Sequence, residues 1–244
     1  MIVTGIIPAR YSSTRFPGKP LILIDGKSMI QRVYEQAQKS KLINNVIVAT
    51  DNKEIFDCVR GFKGNVIMTS NKHKTGTDRI CEVIKKIKSD IIVNIQGDEP
   101  FIKPINIDKA IKPLLKDKSL NVSTLAVEMV NDFYDINKVK VVFDKNNNAL
   151  LFSRSLIPNN IKRAVNIKIY KHLGLYVYRK KFLLKFNKTT QSEIEKAESL
   201  EQLRILWMGE KIRVVVSKDD SISVDTKSDL RKILKHIKKR GNIK

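Results

Sequence analysis

Short apolar runs rich in isoleucine and valine recur through the first half of the chain, at 2–7, 46–50, 66–68 and 91–95. Runs this brief, bounded by polar and turn-forming residues, predict buried strands. Between them the spacing changes. Residues 28–42 place Met29, Ile30, Val33, Ala37 and Leu42 near one face of a helix, 53–60 follow similarly, and 78–88 do so with Ile80, Val83, Ile84 and Ile87. Strand and helix in alternation predict an α/β fold with a doubly wound, mainly parallel sheet. The second half is less regular. Strands are expected at 122–129, 139–143, 150–152, 173–178 and 213–217, and helices at 194–208 and 228–239. Asp144 to Asn148 reads as an Asn-rich hairpin turn. We therefore expect a single domain over 1–244 with a mixed β-rich insertion at about 122–177.

Composition narrows the class without deciding it. A chain of 244 residues with 42% hydrophobic residues can bury a large core. No apolar run approaches the ~20 residues of a membrane span, and no secretory leader pattern opens the chain, so no membrane association is expected. Two cysteines, Cys58 and Cys81, suit a reducing cytoplasm better than a disulfide scaffold. The net charge of +22 raises a rival, a nucleic-acid binder. Lysine, however, is spread over nearly every expected helix, and no zinc-finger, RNP or basic-zipper pattern is present. The charge reads as a lysine-rich solvated surface, with no nucleic-acid partner.

The segment PARYSSTRFPGKPL, following the first strand, carries the first chemistry. Two of only 12 arginines, Arg10 and Arg15, fall in it, together with Lys19, three hydroxyls and a Pro17-Gly18 turn. Fixed guanidinium forks and an ammonium among backbone amides suit a polyphosphate. The P-loop spacing is absent. The competing reading is a solvated turn. A second segment, Asn94 to Pro100 (NIQGDEP), closes the fourth strand. Asp98 there offers the hard oxygen that Mg²⁺ takes alongside phosphates and water, or else caps the next helix or turn. Asp225, before the last helix, is a possible second carboxylate or an N-cap. In HKTGTDR, Thr77 or Asp78 is placed to cap a helix while Thr75 and Gly76 face a base or ribose; His73 has no partners at zinc spacing. His172 and Tyr176 share one face of an expected strand with Gly174 between them, and for His172 a structural role is the alternative. No nucleophile–base pair indicates covalent catalysis.

These segments, with VATD (48–51), KVVFD, ALLFSR, HLGLYVYR, ESLEQLRILWMGEKI and SVDTKSDL, run in order across almost the whole chain. Together they resemble the 3-deoxy-manno-octulosonate (Kdo) cytidylyltransferase family of lipopolysaccharide synthesis. The first and fourth are also similar to wider sugar nucleotidyltransferases, including those acting on sialate. The resemblance implies a nucleotide-diphospho-sugar transferase-like fold, usually a homodimer, joining CTP and Kdo into CMP-Kdo and pyrophosphate with Mg²⁺. It implies that Arg10, Arg15 and Lys19 hold the triphosphate, with Arg10, Lys19 and Asp98 catalytic. Pro8, Ala9, Thr75, Gly76 and Arg79 would shape the cytidine site. Gln96, Arg154, His172, Tyr176, Glu201 and Gln202 would contact the sugar acid, and Asp98 and Asp225 would hold metal. Sialate and 8-amino-Kdo are the alternative acceptors. Ser28, Lys171, Ser223, Lys227 and Asn147-Asn148 depart from the family's usual residues. Of these, Ser28 is suited to cap the first helix, and Asn to positive φ.

Overall fold

The computed structural model describes residues 1–12, 16–159, 167–221, 223–224, 226, 228–231 and 233–234. The chain forms two compact units, one of Met1–Ile107 with Ser221–Lys244, the other of Asp108–Asp220. The second unit extends on both sides of the β-rich stretch expected at 122–177.

In the first unit the strands are β1 (Val3–Ala9), the short pair β2 (Leu23–Ile24) and β3 (Lys27–Ser28), β4 (Asn45–Thr50), β5 (Val66–Met68) and β6 (Ile91–Asn94). Three helices intervene: α1 (Met29–Gln38), α2 (Lys53–Gly61) and α3 (Gly76–Lys86). β1 lies between β4 and β6, and β5 pairs with β4, every pairing parallel. Ile6, Ile7, Val48, Ala49, Ile92 and Val93 are all buried, as expected for strands covered on both faces.

Local chemistry starts the helices. Ser28 caps α1, its hydroxyl accepting from the Gln31 amide, and Asn52 caps α2 by accepting from Ile55. α3 begins earlier than the sequence suggested. Thr75, not Thr77 or Asp78, is its N-cap, and Asp78 closes a capping box by accepting from the Thr75 amide at 3.0 Å.

α4 (Pro104–Lys116) holds the boundary between the units. The second unit contains β7 (Val122–Glu128), β8 (Lys140–Phe143), β9 (Ala149–Ser153), β10 (Tyr170–Arg179) and β11 (Ile212–Ser217), with helices α5 (Lys180–Phe186), α6 (Glu193–Glu198) and α7 (Gln202–Trp207). β7 pairs antiparallel with β10 and parallel with β11, while β8 pairs antiparallel with both β10 and β9. The turn after β8 follows expectation: Asn147 has φ +59°, and the Asp144 carboxylate accepts from the Asn146 and Asn148 amides.

The single helix expected over 194–208 is two. Ser199, at φ +52°, ends α6, and the Leu200 amide returns to the Glu195 carbonyl. A left-handed residue at that point redirects the chain, so Glu201 is the N-cap of α7 and Gln202 its first residue. α4 follows Asp98, after which a helix or turn was expected without bounds, and α5 lies where no helix was expected. The helix expected over 228–239 falls only partly within the described residues.

Candidate active site

In the first unit the carboxyl ends of parallel strands gather the predicted nucleotide residues, the edge at which such sheets bind ligands. Ala9 ends β1, buried. Gly97 follows β6 so closely that a Cβ there would stand 3.2 Å from the Pro8 carbonyl oxygen, and a Cβ on Gly76 would touch the Pro8 ring. Pro8, Gly76 and Gly97 are thus brought together, with Thr75 beside them as the cap of α3. Arg10 is exposed, and its Nη1 donates to the Lys74 carbonyl at 3.0 Å, tying the first loop to the one before α3.

The first loop closes on itself through a bond from the Gly18 amide to the Tyr11 carbonyl. Gly18 has φ +68°, a conformation glycine adopts without a Cβ clash. Lys19 then opens a single 3₁₀ turn and forms an ion pair with Asp98, Nζ to Oδ2 2.9 Å. The cation of the first loop and the candidate metal carboxylate therefore meet across 79 positions of sequence. Arg15 and Asp225 lie outside the described residues. Next to Asp225, the Val224 amide donates to the Asp98 carbonyl, and Ser221 donates to Glu99. Val224 packs with Phe16, Ile24, Met29 and Ile233. Gln96 is half-buried between β6 and Gly97.

Arg79 is completely buried. Its Nη2 pairs with Asp51 at 2.6 Å and its Nη1 bonds the Thr69 hydroxyl. So enclosed, it joins α3 to the ends of β4 and β5. Asp51 belongs to a segment the motif pattern singles out; Thr69 carried no signal. His73 pairs with Glu82 at 2.7 Å; Lys86, the Ser70 amide and then that contact draw the Glu82 carboxyl pKa down to about 2.

In the second unit His172 and Tyr176 do share a face, with rings 5.2 Å apart. A bulge between Leu173 and Tyr176 separates them along β10. Thr124 of β7 fixes this arrangement. Its hydroxyl donates to the Leu175 carbonyl at 2.8 Å, which leaves its lone pairs to accept from His172 Nε2 at 3.0 Å. That assignment makes His172 a neutral imidazole protonated on Nε2, with Nδ1 as an acceptor. Burial pulls its pKa to about 3, in keeping with the uncharged form. Burial also pushes the Tyr176 phenol up, so it stays protonated.

Arg154, just after β9, donates from Nε to the Glu198 carbonyl and from Nη1 to the Ile136 carbonyl. Glu201 accepts from Arg204 at 3.2 Å, and Gln202 is buried. Lys171, where the family pattern has another residue, is held by Asp220 at 2.6 Å. Sequence reasoning missed Thr124, Glu198 and Lys140, whose roles are set by distant partners.

A cytidylyltransferase family model matches residues 4–212. The 3-deoxy-manno-octulosonate cytidylyltransferase of Geobacter metallireducens is 50% identical over 97% of this chain and 98% of its own. The chain belongs to that family. The enzyme of the same name from Geotalea daltonii is 49% identical, covering 99% of this chain and all of its own. A solved CMP:2-keto-3-deoxy-manno-octonic acid synthetase, complexed with CTP, superposes on this cytidylyltransferase with a TM-score of 0.94 at 39% identity, over 98% and 100% of the two chains. A 4-diphosphocytidyl-2C-methyl-D-erythritol synthase from Anaerococcus prevotii shares the fold, with a TM-score of 0.66 at 17% identity. The cytidylyltransferase is thus a nucleotidyltransferase enzyme of mixed, mostly parallel sheet. Among its described residues no helix is long and apolar enough to cross a membrane.

Proposed function

We propose that this enzyme transfers the cytidylyl group of CTP to Kdo, releasing pyrophosphate and CMP-Kdo for lipopolysaccharide synthesis. The observation that carries the reading is the Lys19–Asp98 pair at the carboxyl edge of a parallel sheet, flanked by Arg10 and the capped start of α3. Arg10, Arg15 and Lys19 bind the triphosphate, and Pro8, Ala9, Thr75 and Gly76 form the cytidine site, with Arg79 ordering it. Gln96, Arg154, His172, Tyr176, Glu201 and Gln202 take the sugar acid. His172 accepts a sugar hydroxyl at Nδ1, the acceptor of its neutral tautomer.

No protein nucleophile is needed. The anomeric hydroxyl oxygen of Kdo attacks the α-phosphorus in line; the new O–P bond forms as the bond to the β-phosphate bridging oxygen breaks. The pair of electrons leaves with pyrophosphate, and the hydroxyl proton passes to solvent. Alignment by these residues and neutralisation of the departing charge by Arg10 and Lys19 supply the acceleration.

The donor set also fits Mg²⁺. Asp98 is a hard carboxylate, one quarter exposed, beside the phosphate-binding cations. Among the described residues no three His, Cys, Asp or Glu side chains gather into a cage. Mg²⁺ carried by a nucleotide needs only one or two carboxylates, completing its octahedron with phosphates and water. Asp98 and Asp225 would hold it, and when bound it would neutralise phosphate charge. Free thiols at Cys58 and Cys81 support a cytoplasmic setting, and exposed Val130, Tyr134, Ile136 and Leu150 support a homodimer. The test is pyrophosphate release from purified protein with each nucleoside triphosphate against Kdo, 8-amino-Kdo and sialate. Release confined to CTP with Kdo is expected; release without CTP dependence would overturn the reading.

A further inference from the structure

The fully buried lysine of the second unit has no place in the chemistry above. Lys140 opens β8 and is 0% exposed. A buried ammonium is costly unless its donors are used. Its Nζ donates to two main-chain carbonyls, Asp135 and Arg154, each at 2.7 Å, while the Asp135 and Glu198 carboxylates act on it through space. Both acceptors lead to one side chain. Arg154 is the residue whose guanidinium Nη1 donates to Ile136, the neighbour of Asp135. The same arginine is gripped by Glu198, which accepts the Arg154 amide at 2.9 Å and the Ser153 hydroxyl at 2.7 Å, and whose carbonyl accepts Arg154 Nε at 2.9 Å. One ammonium thus fixes the backbone of Arg154 and, at the same time, the loop that receives its guanidinium.

We propose that Lys140 is a positioning residue for the sugar acid, acting through Arg154. Nε and one edge of Nη1 are consumed by carbonyls. Among the described residues Nη2 meets only the Ser199 carbonyl, at the long distance of 3.5 Å. The guanidinium therefore presents its Nη2 side as the donor for a carboxylate, held at a fixed angle by a lysine that never touches the ligand. This rests on the reading that Arg154 binds the sugar acid.

Lys140→Met keeps an unbranched chain and removes the donors. The expected result is a KM for Kdo raised ~10-fold or more, with KM for CTP and kcat within about 3-fold, because a displaced guanidinium weakens acceptor binding alone. Groups that act as one unit are not additive, so Lys140→Met should add little in an Arg154→Lys background. The Arg154 Nε–H resonance, identified by its loss in Arg154→Lys, reports geometry independently of activity and should shift and exchange faster in Lys140→Met. Should that variant not fold, Lys140→Gln, which retains two donors on a shorter chain, carries the same measurements at smaller amplitude. An unchanged Nε–H resonance, or Kdo effects that simply add, overturns the positioning role. A perturbed resonance with an unchanged KM for Kdo supports positioning and overturns the assignment of Arg154 to the sugar acid.

Discussion

Lys19→Met separates the roles of the central ion pair most cleanly. The pair is 2.9 Å long with side chains 16% and 25% exposed, so it is neither a free surface contact nor a sealed one. Exposed pairs are worth ~0–1 kcal/mol, and losing one partner of a buried pair costs ~3–5 kcal/mol. With solvent still reaching both groups, the loss here should be about 1 kcal/mol, a fall in Tm of roughly 2–4 °C for a chain of this size. Catalysis should suffer far more, because the ammonium opposes charge that grows on departing pyrophosphate; turnover should drop by ~10² or more. A third quantity moves the other way. In the free protein Lys19 repels any cation approaching Asp98. Unit charges at 4 Å interact by ~1 kcal/mol in water, hence ~2 kcal/mol for a divalent ion, so free-protein Mg²⁺ affinity should rise by up to about 30-fold. Pyrophosphate release, melting curves and Mg²⁺ titration calorimetry without nucleotide check the three. Near-normal turnover would refute the phosphate role. A Tm loss beyond ~10 °C would make Lys19 a structural cation, and unchanged Mg²⁺ binding would remove Asp98 from the metal site.

Asp98→Asn keeps shape and hydrogen bonding but removes charge, so activity should collapse while Tm, followed by calorimetry, moves little; a folded and fully active variant would end the metal assignment. Arg79→Met leaves the Asp51 carboxylate and the Thr69 hydroxyl without their buried partner, and urea unfolding should show a loss of ~3–5 kcal/mol together with a raised KM for CTP. His172 has a folded pKa of about 3 against an ordinary 6.5, so the unfolded chain binds its proton first. Its stability contribution is therefore complete above pH ~6.5 and is lost as pH falls towards 3, at up to ~1.4 kcal/mol per pH unit. His172→Gln should flatten the melting profile over that range, and a kinetic inflection near 6.5 traceable to His172 would contradict its neutral assignment.

Periodicity and local chemistry determined much of this molecule. Ile and Val runs against amphipathic intervals specify a parallel α/β unit, because each pattern is compatible with burial in only one kind of element. Ser28 and Asn147 likewise act within four residues of themselves, so their cap and turn follow from the chain alone. The ordered motifs made the family legible, and Pro8, Gly76 and Gly97 do converge. Tertiary structure decided the partners. α4 had no legible bounds because Pro104 and Pro113 look like breakers; Pro104 opens the first turn, where proline costs no hydrogen bond, whereas Pro113 sits inside the helix and is tolerated there. The break at Ser199 interrupts a segment whose apolar pattern continues through it, since φ at one residue leaves no mark on hydrophobic spacing. Lys19 meeting Asp98, Arg79 enclosed by Asp51 and Thr69, and Thr124 setting the His172 tautomer all join residues 10 to 79 positions apart. Lys140 reads in sequence as one more lysine among 35, because its acceptors are main-chain carbonyls, which every residue has and which only the folded chain brings within reach.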